Sequence, residues 1–233
     1  MEYFADWVKT EVIDEYGLDG LDLDDENGGY NPQGFLDIVG VLRYYLADKL
    51  ITKPLYQDLD YFTSYQVSSS FPAPFLLPIP NPNAGKYLGE MLDIGSTMAY
   101  WDTDPNQVDS YHNVTSPDGR NVGLSYNRLC IGVQAGPPPS CPSCSGVTPI
   151  DEVYQLAQWC VAPASSTKPI PPILGMMLFT FSQDIQQFTC WPQNSALKMF
   201  PNGDDHQWQR TIVAGFLGEP QPSGPPDCKE CPG

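Results

Sequence analysis

Three features of this sequence predict an α/β fold with parallel strands covered by helices. Short apolar segments alternate with amphipathic segments or long loops, the order that builds a parallel sheet with helices outside it. The segment "ILGMMLFTF", residues 173–181, is apolar throughout, as strands buried on both faces are. A dense group of carboxylates closes the first strand candidate, and parallel folds place their chemistry at the C-terminal ends of strands.

The elements follow in order. Over residues 2–16, Phe4, Trp7, Val8 and Val12 recur at helical spacing, and Gly17 is a stop. Residues 18–25 predict the first strand. Asn31-Pro32 opens a second helix with Phe35, Leu36, Val39, Leu42 and Leu46 on one face. A strand follows near 50–56. The proline-rich stretch 67–87 predicts a long loop. "DIGSTMAY", 93–100, is the third strand candidate, followed by a polar loop containing His112. "RLCIGVQAG", 128–136, is the fourth, and the apolar run 173–181 the fifth. Between them, 148–160 predicts a helix turning Val153, Leu156, Ala157 and Cys160 inward. A weaker helical pattern covers Trp208, Ile212, Val213 and Phe216.

The chain of 233 residues, 41% hydrophobic, supports one sizeable core or two small ones. The expected organisation is one domain over 1–218 and an irregular Pro/Cys-rich tail over 219–233. With 28 acidic against 11 basic residues the formal charge is -17. Such a surface repels phosphate backbones, which sets nucleic acid aside as a partner. No apolar stretch has the length of a membrane span. Seven cysteines and the sequon Asn113-Val114-Thr115 point to an oxidising compartment. The N-terminus carries no basic, apolar leader. The expectation is an extracellular or secretory-pathway protein whose export signal lies upstream of Met1.

The first strand poses the chemical question. Asp19, Asp22, Asp24, Asp25 and Glu26 crowd a segment that also holds Leu21 and Leu23. Strand side chains alternate, so Gly20, Asp22, Asp24 and Glu26 share one face, and the leucines the other. Carboxylates about 6–7 Å apart along one face do not all stay ionised cheaply. One of them is expected to hold a proton near neutral pH, and a protonated carboxyl beside an ionised one suits general acid catalysis at a glycosidic bond. A calcium loop or a solvated acidic turn is the bland alternative. The spacing does not match the EF-hand pattern.

"DGLDLDDE", Asp19 to Glu26, resembles the D-G-x-D-x-D-x-E signature of glycoside hydrolase family 18, the chitinases and endo-β-N-acetylglucosaminidases. "MAY", Met98 to Tyr100, looks like that family's M-x-Y, and "GMMLFTFSQD", 175–184, like its eighth strand. The resemblance implies a (β/α)8 TIM barrel, here incomplete, with the five strands matching the family's fourth to eighth. The three missing strands would come from a longer chain. It also implies Glu26 as general acid, Asp24 orienting the substrate's acetamido N–H, and Asp22 sharing a proton with Asp24. The nucleophile would be the substrate's own 2-acetamido oxygen, the stated exception to the two-carboxylate scheme. Tyr100 would bond the acetamido carbonyl. Met98, Phe179, Asp102 and Gly20 complete the expected sugar site. The implied substrate is chitin, chitooligosaccharides or, alternatively, an N-glycan core. No cofactor and no metal enter this chemistry.

Four features depart from the family pattern. The preceding strands are absent. Asp25 occupies the place of a common aromatic residue, and the resulting "DDE" resembles the endoglycosidase branch. Phe179 replaces a tryptophan floor. Trp101 displaces Asp102 by one position from the usual M-x-Y-D. Without the motif, Met98, Tyr100 and Phe179 would more simply be core residues. A non-catalytic glycan-binding relative, or an inactive barrel fragment, is the alternative of another class. Cys141-x-x-Cys144 and Cys228-x-x-Cys231 could hold zinc. Disulfides among them and Cys130, Cys160 and Cys190 are the plainer expectation.

Overall fold

In a computed structural model, residues 2–25, 31–56, 58–69, 81–98, 100, 106–135, 148, 150–161, 172–179 and 207–222 are described. The chain divides into two compact units, Met1–Thr97 with Asn106–Leu129, and Met98–Pro105 with Cys130–Gly233.

In the first unit, helix α1 (Glu2–Trp7) continues into π-helical turns over Val8–Asp14. Ala5, Val8 and Ile13 are buried, while Phe4 and Trp7 are each 46% exposed. This corrects the inward face expected from a 3.6-residue period. The π turns lengthen the repeat, so Val8 and Ile13, five residues apart, point the same way. Strand β1 (Gly20–Asp22) is shorter than expected. Helix α2 (Pro32–Tyr45) starts where the sequence places it, with Asn31 Oδ1 accepting from Gly34 N at 2.9 Å and proline in the first turn. It buries Leu36, Val39 and Leu42.

Strand β2 (Leu50–Leu55) lies parallel between β1 and β3 (Ile94–Thr97). The register pairs Asp22 with Thr52 and Lys53 with Gly95. In β2 the buried positions alternate as Ile51, Lys53 and Leu55. Helices α3 (Leu59–Thr63) and α4 (Asn106–His112) fall in stretches not expected to be helical. The loop assigned to His112 is thus a helix. Its polar outer surface hid the buried pair Val108 and Tyr111. His112 closes it, with Nδ1 at 2.8 Å from the Leu124 carbonyl oxygen and its ring stacked on Tyr126.

Backbone approach fixes one glycine here. A Cβ at Gly89 would collide with the carbonyl oxygen of Val122 and press on the Phe62 ring. Gly89→Ala is expected to cost about 1–3 kcal/mol, the usual range for overpacking, read as a lower midpoint in chemical denaturation.

In the second unit β4 (Leu129–Gln134) and β5 (Gly175–Phe179) pair in parallel, with Cys130 opposite Gly175 and Gln134 opposite Phe179. Strand β5 is half-buried along Gly175–Leu178, and Phe179 is 43% exposed. Its apolar sequence therefore does not mean burial on both faces. Helix α5 (Ile150–Val161) buries Val153, Leu156, Ala157 and Cys160, the four residues expected to face inward. It packs on α6 (Gln207–Leu217), where Gly215 leaves room for Ala157. The buried face of α6 is Trp208, Thr211 and Ala214, whereas Val213 is 49% exposed.

Among the described residues no disulfide includes Cys130, which is half-buried, or Cys160, which is buried. The Cys160 thiol is 3.9 Å from the Gly175 carbonyl oxygen. Burial, then the nearby Cys130, pushes its pKa up, away from a reactive thiolate. The other cysteines lie outside the described residues. Among the described residues no helix is long and apolar enough to cross a membrane.

Candidate active site

The acidic segment emerges from β1 at its C-terminal end. Gly20 and Asp22 occupy one face of the strand, as alternation requires. Gly20 is glycine for a local reason, because a Cβ there would strike the Leu50 carbonyl oxygen of β2. Asp22 is exposed, and its Oδ1 accepts a hydrogen bond from the Thr52 hydroxyl of the neighbouring strand. The in-register pairing of these two residues brings that contact about.

Past Asp22 the ladder stops. The Leu23 N–H still donates to the Thr52 carbonyl at 2.8 Å, but the Asp25 N–H turns back to the Leu23 carbonyl at 3.2 Å. A bond of that span is a γ-turn, common at strand ends. The expected strand over 18–25 is therefore corrected to Gly20–Asp22, and alternation sets the faces of Gly20 and Asp22 alone. Asp24 is exposed beyond the strand. Glu26 and Asp102 lie outside the described residues.

The helix-covered side of the same segment holds a cluster that no sequence motif marks. Lys53 has a side chain with no exposed surface. Its ammonium donates to the Pro54 carbonyl at 2.7 Å and the Asp25 carbonyl at 3.1 Å, and lies 2.8 Å from Asp58 Oδ2. Asp58 Oδ2 lacks an aligned hydrogen-bond donor, so its attraction to Lys53 is Coulombic. Asp58 Oδ1 accepts from the Tyr111 hydroxyl at 2.8 Å. The Tyr61 hydroxyl approaches Asp25 Oδ2 at 3.4 Å, while its ring stacks on Phe35. A lysine set in the alternation Ile51, Lys53, Leu55 was the available signal. Its inward position follows from the period of two.

Burial raises the pKa of Asp58, against the opposing pull of Lys53. Burial first, then the charge of Asp25, pushes the Tyr61 phenol up to about 12. Tyr126 rises to about 12 through burial and its hydrogen bond to Asp109. Tyr111 rises as well, through burial and then Asp58. A phenol whose folded pKa exceeds its unfolded value contributes stability that is complete below pH 10 and lost as pH climbs. Stability is expected to fall steadily from pH 10 to about 12, read as a decreasing denaturation midpoint, with a shallower fall in Tyr126→Phe.

In the second unit, Tyr100 is 5% exposed and its ring stacks on Phe179, centroids 5.4 Å apart and planes at 16°. Met98 is half-buried. The Thr148 hydroxyl donates to the Tyr100 carbonyl at 3.0 Å and accepts from the Gln134 N–H at 3.0 Å. The indole N–H of Trp208 donates to the Thr148 carbonyl at 3.0 Å. Thr148 thus ties the Tyr100 main chain to β4 and α6. No sequence pattern marks it.

Parallel strands joined through helices define the class: an α/β fold of the TIM-barrel type. Solved structures of glycoside hydrolase family 18 enzymes share it. An endo-β-N-acetylglucosaminidase from Cordyceps militaris aligns with 92% of this chain and 62% of its own, at TM-score 0.51 and 15% identity. The same enzyme's variant in complex with fucosyl-N-acetylglucosamine-Asn aligns at 0.50 and 12%. A protein described as chitinase A from Streptomyces coelicolor aligns at 0.52 and 17%, covering 92% and 66%. A fungal family 18 endo-β-N-acetylglucosaminidase aligns at 0.52 and 16%, covering 93% and 62%. The chain thus spans about two-thirds or less of the length of these structures. At such identities the likeness is one of fold. No protein-family model and no curated protein matches the sequence.

Proposed function

We propose that this chain carries the catalytic machinery of a retaining glycoside hydrolase that cleaves β-linked N-acetylglucosamine. One observation carries the reading: the acidic segment leaves the C-terminal end of a parallel strand, in a fold shared with family 18 enzymes. Glu26 is the general acid that protonates the leaving oxygen. The substrate's acetamido oxygen attacks the anomeric carbon and closes an oxazolinium ring. Water then opens the ring, with Glu26 now acting as base, and the product keeps its configuration. Asp24 orients the acetamido N–H, and Asp22, already bonded to Thr52, shares a proton with Asp24. On the family resemblance, Tyr100 would hold the acetamido carbonyl, Phe179 would offer a stacking face, and Met98, Asp102 and Gly20 are carried over as further sugar contacts.

Two substrate classes are open to this chemistry, chitooligosaccharides and N-glycan cores. The "DDE" ending favours the second. Parallel assays of a chitooligosaccharide and a high-mannose glycopeptide separate them. Proton NMR of the first product reads the stereochemistry. A β-anomer is expected, and an initial α-anomer would overturn the substrate-assisted route. The exposed sequon at Asn113 supports an exported protein, tested by recovery of the native protein outside its cells.

A further inference from the structure

The last backbone bond between β1 and β2 joins Leu23 to Thr52. The chain then runs past Asp25 with its own N–H turned back to Leu23. The Lys53 ammonium takes over, gripping the Asp25 carbonyl from the helix-covered side. The Tyr61 hydroxyl meets the carboxylate of the same residue, and the stack on Phe35 holds the Tyr61 ring. Behind Lys53 stand Asp58, the residue before α3, and Tyr111 of α4.

We propose that Lys53 and Tyr61 are positioning residues, which clamp Asp25 at its carbonyl and its carboxylate and so hold the main chain one residue before Glu26. The proposal rests on the assignment of Glu26 as general acid. Its physical basis is the anchor's rigidity. The ammonium donates to two carbonyl oxygens and faces the Asp58 carboxylate at 2.8 Å, and its side chain is wholly buried, away from competing water. A general acid must meet the leaving oxygen within hydrogen-bond reach, and about 1 Å of misplacement costs on the order of 100-fold. The anchor also gives Asp25 a task. A carboxylate there can receive the Tyr61 hydroxyl, as a phenylalanine or tryptophan could not.

Two variants test it. Tyr61→Phe keeps the ring stack and removes the hydroxyl. Lys53→Met with Asp58→Leu and Tyr111→Phe removes the ammonium together with the side-chain polar groups it would leave stranded. Amide hydrogen exchange of the peptide covering 20–30 reads the clamp without reference to catalysis. Exchange there is expected to rise about tenfold in the triple variant and less in Tyr61→Phe, with β2 and β3 unchanged. In cleavage assays corrected for folded fraction, kcat is expected to fall about 10- to 100-fold in the triple variant and several-fold in Tyr61→Phe. KM should stay within about twofold, because the clamp touches no sugar.

Unchanged exchange in both variants would overturn the clamp whatever the kinetics. Raised exchange with unchanged kcat would overturn the positioning role. Should the unaltered protein cleave neither substrate, the hydrolase assignment falls, and raised exchange still establishes the clamp.

Discussion

Glu26→Gln is expected to lower cleavage of N-acetylglucosamine β-glycosides by about 100- to 10,000-fold, the share a positioned general acid contributes. The amide keeps the shape and the hydrogen-bonding capacity of the carboxyl, but cannot surrender a proton to the leaving oxygen. The oxazolinium route supplies a nucleophile from the substrate, not a proton for the leaving group, so nothing else at the site compensates. Binding should survive, because the acid's work lies in the transition state. Calorimetry with a chitooligosaccharide or a glycopeptide checks this, with Kd expected within about threefold of the original protein. Residual kcat within tenfold of the original would remove Glu26 from its role. Asp24→Asn offers a contrast. It leaves the acid in place and disturbs the acetamido group, so the loss should shrink for substrates whose leaving group needs no protonation only in the Glu26 variant.

Lys53→Met is expected to be the most destabilising conservative-volume change in the first unit. It leaves Asp58 buried beside an apolar side chain, with the Tyr111 hydroxyl still donating to its Oδ1 at 2.8 Å. Breaking a buried ion pair from one side costs about 3–5 kcal/mol, because the surviving charge is uncompensated. Replacing the whole polar group, with Asp58→Leu and Tyr111→Phe added, should recover most of that loss, since apolar packing substitutes well for a buried ion pair. Urea denaturation of the three proteins measures the difference. The single variant should also become more stable on acidification relative to neutral pH. The folded pKa of Asp58 is already raised by burial, and loss of Lys53 raises it further. A carboxyl whose folded pKa lies above its unfolded one adds stability at low pH and loses it as pH rises through the folded value. Equal destabilisation by the single and the combined variants would show that Lys53 matters through packing rather than charge.

Much of the architecture was legible because local rules reach far enough. The Asn31-Pro32 start of α2 needed a capping side chain and a ring with fixed φ, and both are properties of adjacent residues. The inward set of α5 followed from helical period alone. The same logic failed where the period changed. Val8–Asp14 winds as π-helix, and no composition signal announces the wider turn. It failed again at α4, whose short run of polar residues hides a two-residue apolar face. In β5 the residues are apolar, yet burial depends on what other elements cover, which a strand's own sequence does not state.

The candidate site divides in the same way. By itself the sequence determined that carboxylates gather after Gly20, that Asp22 shares a strand face with Gly20, and which family signature they resemble. These depend on residue identity and a period of two. Only the tertiary structure decided where the strand ends, that Lys53 stands behind the acids with Asp58 and Tyr61, and that Thr148 anchors Tyr100. Those contacts join residues distant in sequence. Their existence depends on strand register and on which helix covers which face, and register is a property of the folded sheet rather than of any one segment.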